Sequence, residues 1–486
     1  MTEDNSYGHR KDGGDQARAR AVAAAQTLVD TGRFRDDLAA LVAWPTESQV
    51  PERAADLRRY LHQAMQPMLS RLGFACHVLD NPVPGGAPLL VATRQEGADR
   101  PTVLSYGHGD VIRGQADQWR AGLSPFDLTQ EGDRLYGRGA ADNKGQHLVN
   151  ILALDAVLRA RGRLGFNAKI LIEMSEETGS AGLAAFCDRH RDLLSADVLI
   201  ASDGPRVQAE VPTLFMGSRG AVNFDLRVDL RDGAHHSGNW GGLLADPAIV
   251  LCHAIASITD ARGRIAVPEW RPDSLTEAVR DALRDIPVTD GPGPHVDADW
   301  GEPGLSPAER AFGWNSFAVL AMKSGDPDAP VNAISGQARA TCQLRFVVGT
   351  QADDILSALR RQLDRQGFAQ VQVVAQQDGS FPATRLRIDH PWVRFVAGSI
   401  RATTGRAPHI LPNLAGSLPN DCFSDVLGLP TVWVPHSYRG CSQHAPNEHV
   451  LTSLCRDALG LMTGLFWDVG TLPDGTEASL SGAFSG

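Results

Sequence analysis

Carboxylates and imidazoles that follow apolar runs are the residues of this chain best placed to do chemistry. After the run TVLSYG come His108, Gly109 and Asp110, and a glycine-rich turn, GRGAA, then delivers Asp142. Residues two apart in a strand share a face. His108 can therefore ligate a metal while Asp110 accepts its second ring N–H, which fixes the tautomer and raises its basicity. The run AKILIEM ends in Ser175-Glu176-Glu177. Neighbours in an extended segment point opposite ways, so one of this pair can hold a metal while the other faces a substrate as a general base. ADVLIA leads into Ser202-Asp203-Gly204, and the loop HSYRGCSQHAPNEH carries His444, with Glu448 four residues on.

Taken singly, each motif has an ordinary alternative: a surface acid, a charged first helical turn, an Asp-Gly turn, a surface histidine. Taken together, His108, Asp142, Glu177, Asp203 and His444 form an N/O donor set suited to zinc, with cobalt or manganese as substitutes. Five ligands exceed what one open catalytic zinc accepts. They fit two ions about 3.5–4 Å apart that share one carboxylate.

The elements that must position these residues follow from periodicity. Residues 1–16 read as a polar tail. Helical patterns cover 17–30, 34–42 and 51–72. Short apolar runs then alternate with helices: strands at 77–80, 89–94, 102–107, 168–174 and 197–201, helices at 146–161 and 181–189. That rhythm is an α/β domain with a mostly parallel sheet, in which ligands sit beyond the strand C-terminal ends. From residue 213 the character changes. TLFMGSRGAVNFDLRVDL alternates like one long half-wet strand, followed by a helix at 247–258, a Pro-, Gly- and Asp-rich insertion at 285–307, strands at 318–322, 338–347 and 370–375, and a helix at 352–366. This describes a smaller α+β insert. The α/β pattern resumes with helices at 391–403 and 451–466 and strands at 408–411 and 430–435. The expected organisation is a catalytic domain in two parts, 17–212 and 388–470, interrupted by a second domain at 213–387, with a loose tail after 472.

Composition narrows the class. The 486 residues are 43% hydrophobic and 21% charged, with a formal net charge of −11. No basic stripe exists to release phosphate counterions, which argues against a nucleic-acid partner. Seven cysteines without tight spacing make neither a disulfide framework nor a thiolate zinc site, and suit a reducing compartment. The N-terminal twenty residues lack the apolar core of a signal peptide, and no apolar run reaches the ~18–20 residues of a membrane span. The expectation is a cytoplasmic protein with no membrane partner.

The chain resembles the co-catalytic di-zinc metallopeptidases that include carboxypeptidase G, aminoacylase, succinyl-diaminopimelate desuccinylase and the carnosine dipeptidases, and is most similar to the carnosine-dipeptidase-like branch. The resemblance runs from about residue 42 to 464 through GHGDV, WRAGLSPFDL, LYGRGAADNKG, SEETGS, ASDG, HHSGNWGG, NAISGQA, LRFVV and HAPNE. It implies that His108 and Asp203 hold one zinc and Glu177 and His444 the other. Asp142 bridges them, Asp110 orients His108, and Glu176 is the general base. The insert becomes a ferredoxin-like lid and dimerisation domain, whose His236 reaches into the neighbouring subunit's site to stabilise the tetrahedral intermediate. Asn332 and Arg345 match lid positions that contact substrate, Arg345 gripping a carboxylate with its planar fork. Gly416 and Ser417 match a pair beside the substrate's free carboxylate. Three departures from the family pattern touch no implied metal ligand but bear on the substrate pocket: ASDGP lacks the usual Asn and Trp, NAISG has Ser335 for a proline, and DVIRG lacks a proline. The implied activity is hydrolysis of an amide bond in a dipeptide or N-acyl amino acid. The alternatives are an N-acyl or N-carbamoyl amidohydrolase, or a binding protein on the same fold without turnover.

Overall fold

The computed structural model describes residues 6–288, 294–376 and 380–473, with side chains from residue 14 onward. One eight-stranded sheet organises the larger unit. Its strands run in the order Ala75–Leu79, Leu89–Arg94, Asn167–Glu173, Thr102–His108, Val198–Ala201, Thr431–Trp433, Thr213–Phe215, His409–Leu411. The four central strands are mutually parallel, while the first two pair antiparallel at one margin. Period-two alternation sends Leu90, Ala92, Ile170 and Ile172 to one face and Leu89, Val91 and Leu171 to the other, so the sheet is buried on both sides. Helices Lys144–Arg161 and Thr452–Val469 supply much of the first covering layer.

Several elements differ from the sequence expectation for identifiable reasons. The first helix spans Ser6–Asp30, beginning ahead of residue 17, because extending a formed helix costs far less than nucleating one. Residues 1–5 lie outside the described set. The helical stretch at 51–72 is broken into turns, with a widened turn at Leu61–Met65 just before Pro67, which has no N–H to donate back. The run 213–230 is not one strand. Thr213–Phe215 joins the large sheet beside His409–Leu411, and Gly220–Asp229 begins the small one. The break falls at Gly217, whose φ of 156° and contact with the Thr384 carbonyl leave no room for a side chain.

The insert's sheet is antiparallel throughout, in the order Ser316–Lys323, Gln337–Phe346, Gly220–Asp229, Val371–Ala375. Helices Pro247–Ala256 and Ile355–Arg365 cover one face through Leu251, Ala254, Leu359 and Leu363 against Phe224, Leu226 and Leu344. This is the ferredoxin-like arrangement. Its other face carries Asn223, Gln343 and Arg345 toward the large domain. The 285–307 insertion, of which 289–293 lie outside the described residues, is flanked by short helices Glu277–Leu283 and Pro307–Phe312. Both pack against the large domain through Val279, Leu283, Ala308 and Phe312. Residues 474–486 also lie outside the described set.

Candidate metal centre

Strand ends and one turn bring the expected donors together. His108 is the last residue of its strand and sits beside Glu173 in parallel register. Its Nε2 lies 3.0 Å from Asp142 Oδ1 and 3.7 Å from Asp203 Oδ2. On the other side of Asp142, Oδ2 is 3.1 Å from His444 Nε2, which in turn lies 2.9 Å from Glu177 Oε2. Two donor groups result, His108–Asp142–Asp203 and Asp142–Glu177–His444, each with its ligating atoms within 4.8 Å of one another. Asp142 belongs to both, and the arrangement has the form of two cation sites sharing one carboxylate.

The supporting groups explain how the donors are held. Asp110 Oδ1 is 3.4 Å from His108 Nδ1, and the Asp110 backbone carbonyl is 3.1 Å from the same nitrogen. The Asp110 carboxylate also accepts the backbone N–H groups of Glu176 and Glu177, each at 3.2 Å. One side chain thus fixes both the imidazole and the loop with the paired glutamates. That loop is a tight turn over Glu176–Thr178, not the extended segment expected. Even so, Glu177 turns to His444 while Glu176 Oε2 stays 3.9 Å from His108 Nε2. Behind it, buried Glu173 accepts from Tyr106 Oη at 2.6 Å and Ser180 Oγ at 3.0 Å. Gln443 Nε2 donates to Asp142 Oδ2 at 2.6 Å.

Glu448 is the functional neighbour that sequence reasoning did not use. Fully buried, it accepts from Arg138 Nη1 at 2.8 Å and from the backbone N–H groups of Gly139, Ala141 and Asp142 at 3.1, 2.9 and 3.1 Å. It therefore pins the glycine-rich turn that presents Asp142. The available signal was the acid four residues after His444, in a loop otherwise poor in reasons to carry one.

Packing anions and imidazoles this closely shifts their proton affinities. For His108, burial works against the charged ring, but hydrogen bonds to Asp110 and Asp142 overcome it and hold the pKa well above its usual value. His444 is pushed up to about 11 by hydrogen bonds to Asp142 and Glu177. Burial raises Glu177 to about 7 and Asp203 to about 6, with Asp142 adding to both. Glu176 is raised well above the carboxylate range, chiefly by burial, with Asp203 and Glu177 adding to it. Asp142 moves the other way. Burial opposes its charge, but His108 and His444 outweigh that and hold it well below the usual range. A cluster with this many strained proton affinities in one cleft marks a reactive site.

Two cavities flank Glu176 and His444. One, of about 370 Å³, extends past Asp203 toward Leu411, Leu414 and Phe312. The other, of about 500 Å³, opens between the glutamate turn and the insert's polar face. Arg345 and Ser417 border both, and Arg345 Nη1 donates to Ser417 Oγ at 3.0 Å across the domain junction. Gly416 lines the first cavity, and its carbonyl accepts from the Arg219 backbone N–H at 3.1 Å. His236 and Asn332 are not brought there. Both are exposed at the far end of the insert, paired through the Asn332 carbonyl and the Ser237 N–H, and neither lines a cavity around Glu176 within this chain.

Known proteins resemble this chain in sequence and in fold. The cysteinylglycine-S-conjugate dipeptidase of Corynebacterium striatum is 28% identical over 340 residues, 68% of this chain and 72% of that protein. The Beta-Ala-His dipeptidase of Mus musculus is 36% identical over 190 residues, 38% of each chain. Among solved structures, the di-peptidase Dug1p of Saccharomyces cerevisiae superposes with a TM-score of 0.76 at 19% identity, covering 93% of this chain and 99% of that one. The model of peptidase family M20/M25/M40 matches residues 104–467, from the His108 strand through the helix that follows the His444 loop. With donor set, topology and family model in agreement over most of its length, the chain belongs to peptidase family M20/M25/M40.

Proposed function

We propose that this protein is a two-metal hydrolase that cleaves the amide bond of a dipeptide or related N-acyl amino acid next to a free carboxylate. The observation that carries this is Asp142, shared between His108 and His444, with Glu176 facing the same cleft. His108 and Asp203 would hold one ion, Glu177 and His444 the other, and Asp142 both. Neutral imidazoles with carboxylates suit zinc, with cobalt or manganese as substitutes. Such ions, when bound, lower the pKa of water and polarise a carbonyl oxygen.

The chain's own residues supply the rest. Glu176 accepts the proton of the attacking water and returns it to the leaving amine, the standard task of a positioned carboxylate. Asp110 keeps Glu176 and His108 in register through its backbone and ring contacts. Arg345 and Ser417, already joined across the junction, receive the substrate carboxylate. His236 of a second subunit donates to the developing oxyanion.

That last role requires a homodimer, which the exposed surface of the insert supports. The edge strand Ser316–Lys323 exposes Val319, Leu320 and Met322, and elsewhere on the insert Ile249, Leu243 and Val331 are 60%, 76% and 74% exposed. An open strand edge with an apolar face invites pairing with a second copy. We place the protein in the cytoplasm, a reading supported by seven unpaired cysteines, most of them buried. Among the described residues no helix is long and apolar enough to cross a membrane.

The test is Glu176→Gln, assayed for metal content and for hydrolysis of dipeptides, N-acyl and N-carbamoyl amino acids. Two metals per subunit with turnover reduced about 10²–10⁴-fold is the expected result. Unchanged turnover would refute the assignment of the base, and turnover confined to carbamoyl substrates would replace the peptidase reading.

A further inference from the structure

The cavity beyond Ser417 is lined by two guanidinium groups that, among the described residues, no carboxylate neutralises. Arg345 is bonded only to neutral partners, Gln343 Oε1 at 3.1 Å and Ser417 Oγ at 3.0 Å. Arg439 stands on the same cavity's rim. One arm, Nη1, donates to the Val288 carbonyl at 2.8 Å, and among the described residues the group makes no ion pair. The acids lining this cavity are Asp142, Glu176 and Asp203, which belong to the metal centre. The rest of the lining is largely apolar and includes Phe312, Leu411, Leu414 and Leu418. Arg206 also borders the space but is already tied to Asp457 at 2.8 Å and to the Ala209 carbonyl.

Two cations without ion pairs among the described residues, lining one cavity together with apolar side chains, fit a ligand with two anionic groups joined by methylenes. A guanidinium offers five N–H donors in a rigid fork, and Arg439 spends one of them on Val288. The anchor matters too, because Val288 lies on the insert's excursion that packs Phe312 against the large domain. Arg439 is exposed, and this bond holds it at the cavity's mouth.

We propose that Arg439 is a specificity-determining residue that fits this site to substrates whose carboxyl-terminal, leaving residue is acidic. The α-carboxylate sits on Arg345 and Ser417, the methylenes lie along Leu414 and Phe312, and the side-chain carboxylate meets Arg439. This deepens the peptidase reading above and rests on it for the scissile bond, but not for the recognition of the acidic residue.

The experiment measures kcat/KM for Ala-Glu, Ala-Gln and Glu-Ala, and binding of free L-glutamate against L-glutamine to the metal-loaded dimer by calorimetry. Wild type is expected to favour Ala-Glu over Ala-Gln, and glutamate over glutamine, by about 10- to 150-fold, the range of one charge-assisted hydrogen-bonded contact. In Arg439→Gln both ratios fall toward one with melting temperature and metal content retained, and in Arg439→Glu they drop below one. Equal rates and affinities in wild type, a preference seen only for Glu-Ala, or ratios unchanged in Arg439→Gln would overturn the proposal. If no peptide is cleaved, the peptidase reading fails while the two amino-acid affinities still decide the role of Arg439.

Discussion

Replacing Glu448 by alanine separates the loop that presents Asp142 from the residues that bind the ion. Glu448 is buried, and its carboxylate takes four donors: Arg138 Nη1 and the N–H groups of Gly139, Ala141 and Asp142. Arg138 is itself buried, and its Nε and Nη2 have no hydrogen-bond partner among the described residues. Removing the acid strands a guanidinium in the interior, which costs about 3–5 kcal/mol for a broken buried pair. The three amides add to this unless water enters the space left behind. Glu448→Gln keeps one acceptor oxygen but sets an NH₂ against donors, so its cost is about 1.5–3 kcal/mol, that of a lost charged hydrogen bond. Asp142 belongs to both proposed cation sites, and its displacement should weaken both, by about 10–100-fold as for other supporting partners of metal ligands. Urea unfolding of the metal-free protein gives the stability change, and titration with zinc or cobalt gives the affinity. If Glu448→Ala unfolds within about 1 kcal/mol of wild type and binds two ions with unchanged affinity, the turn is held by something else.

Other perturbations probe the same centre from different sides. Asp110→Asn should lower metal affinity about 10–100-fold and depress turnover further, since the amide cannot accept from both Glu176 and Glu177 N–H and His108 at once; equal affinity would remove Asp110 from the design. Metal uptake should release protons. In the metal-free protein His108 and His444 hold protons at neutral pH, the latter up to about 11, so affinity rises with pH across the neutral range. Calorimetry in buffers of different ionisation enthalpy reads the number released, and zero would contradict the hydrogen bonding seen here. The same raised His444 stabilises the metal-free fold below pH 6.5, a contribution lost as pH climbs toward 11. His236→Ala should cost about 10²–10³-fold in kcat. Mixing it with Glu176→Gln should restore about a quarter of wild-type activity, since half of randomly paired dimers carry one complete site; no recovery would mean that His236 acts within its own subunit or not at all.

What the sequence disclosed follows from the range of the interactions involved. His108, Glu176, Glu177 and Asp203 could be found because each ends an apolar run, and strand period and burial are local properties written within seven or eight residues. The four parallel central strands were legible for the same reason. The split of 213–230 was not. Both halves alternate in the same way, and only the tertiary contact between Gly217 and Thr384 decides that the chain leaves one sheet for another. The turn at Glu176–Thr178 likewise depends on Asp110, sixty-six residues earlier, capturing its N–H groups.

The same distinction explains why candidate ligands are easier to propose from sequence than the residues that hold them. A metal ligand has to be one of a few side-chain types at the end of an element, and its chemistry limits the choice. A residue that holds a ligand need only be a buried acceptor within reach, and reach in space has no fixed separation in sequence. Glu448 lies three hundred and six residues from the Asp142 amide it accepts, and Arg138 has no local feature that requires a distant acid. The centre is thus assembled from ends of local elements but held by contacts between remote ones. It follows that substitutions in the supporting set should act through metal affinity and stability together, whereas Glu176, whose carboxylate makes no hydrogen bond to a proposed ligand among the described residues, should affect turnover alone.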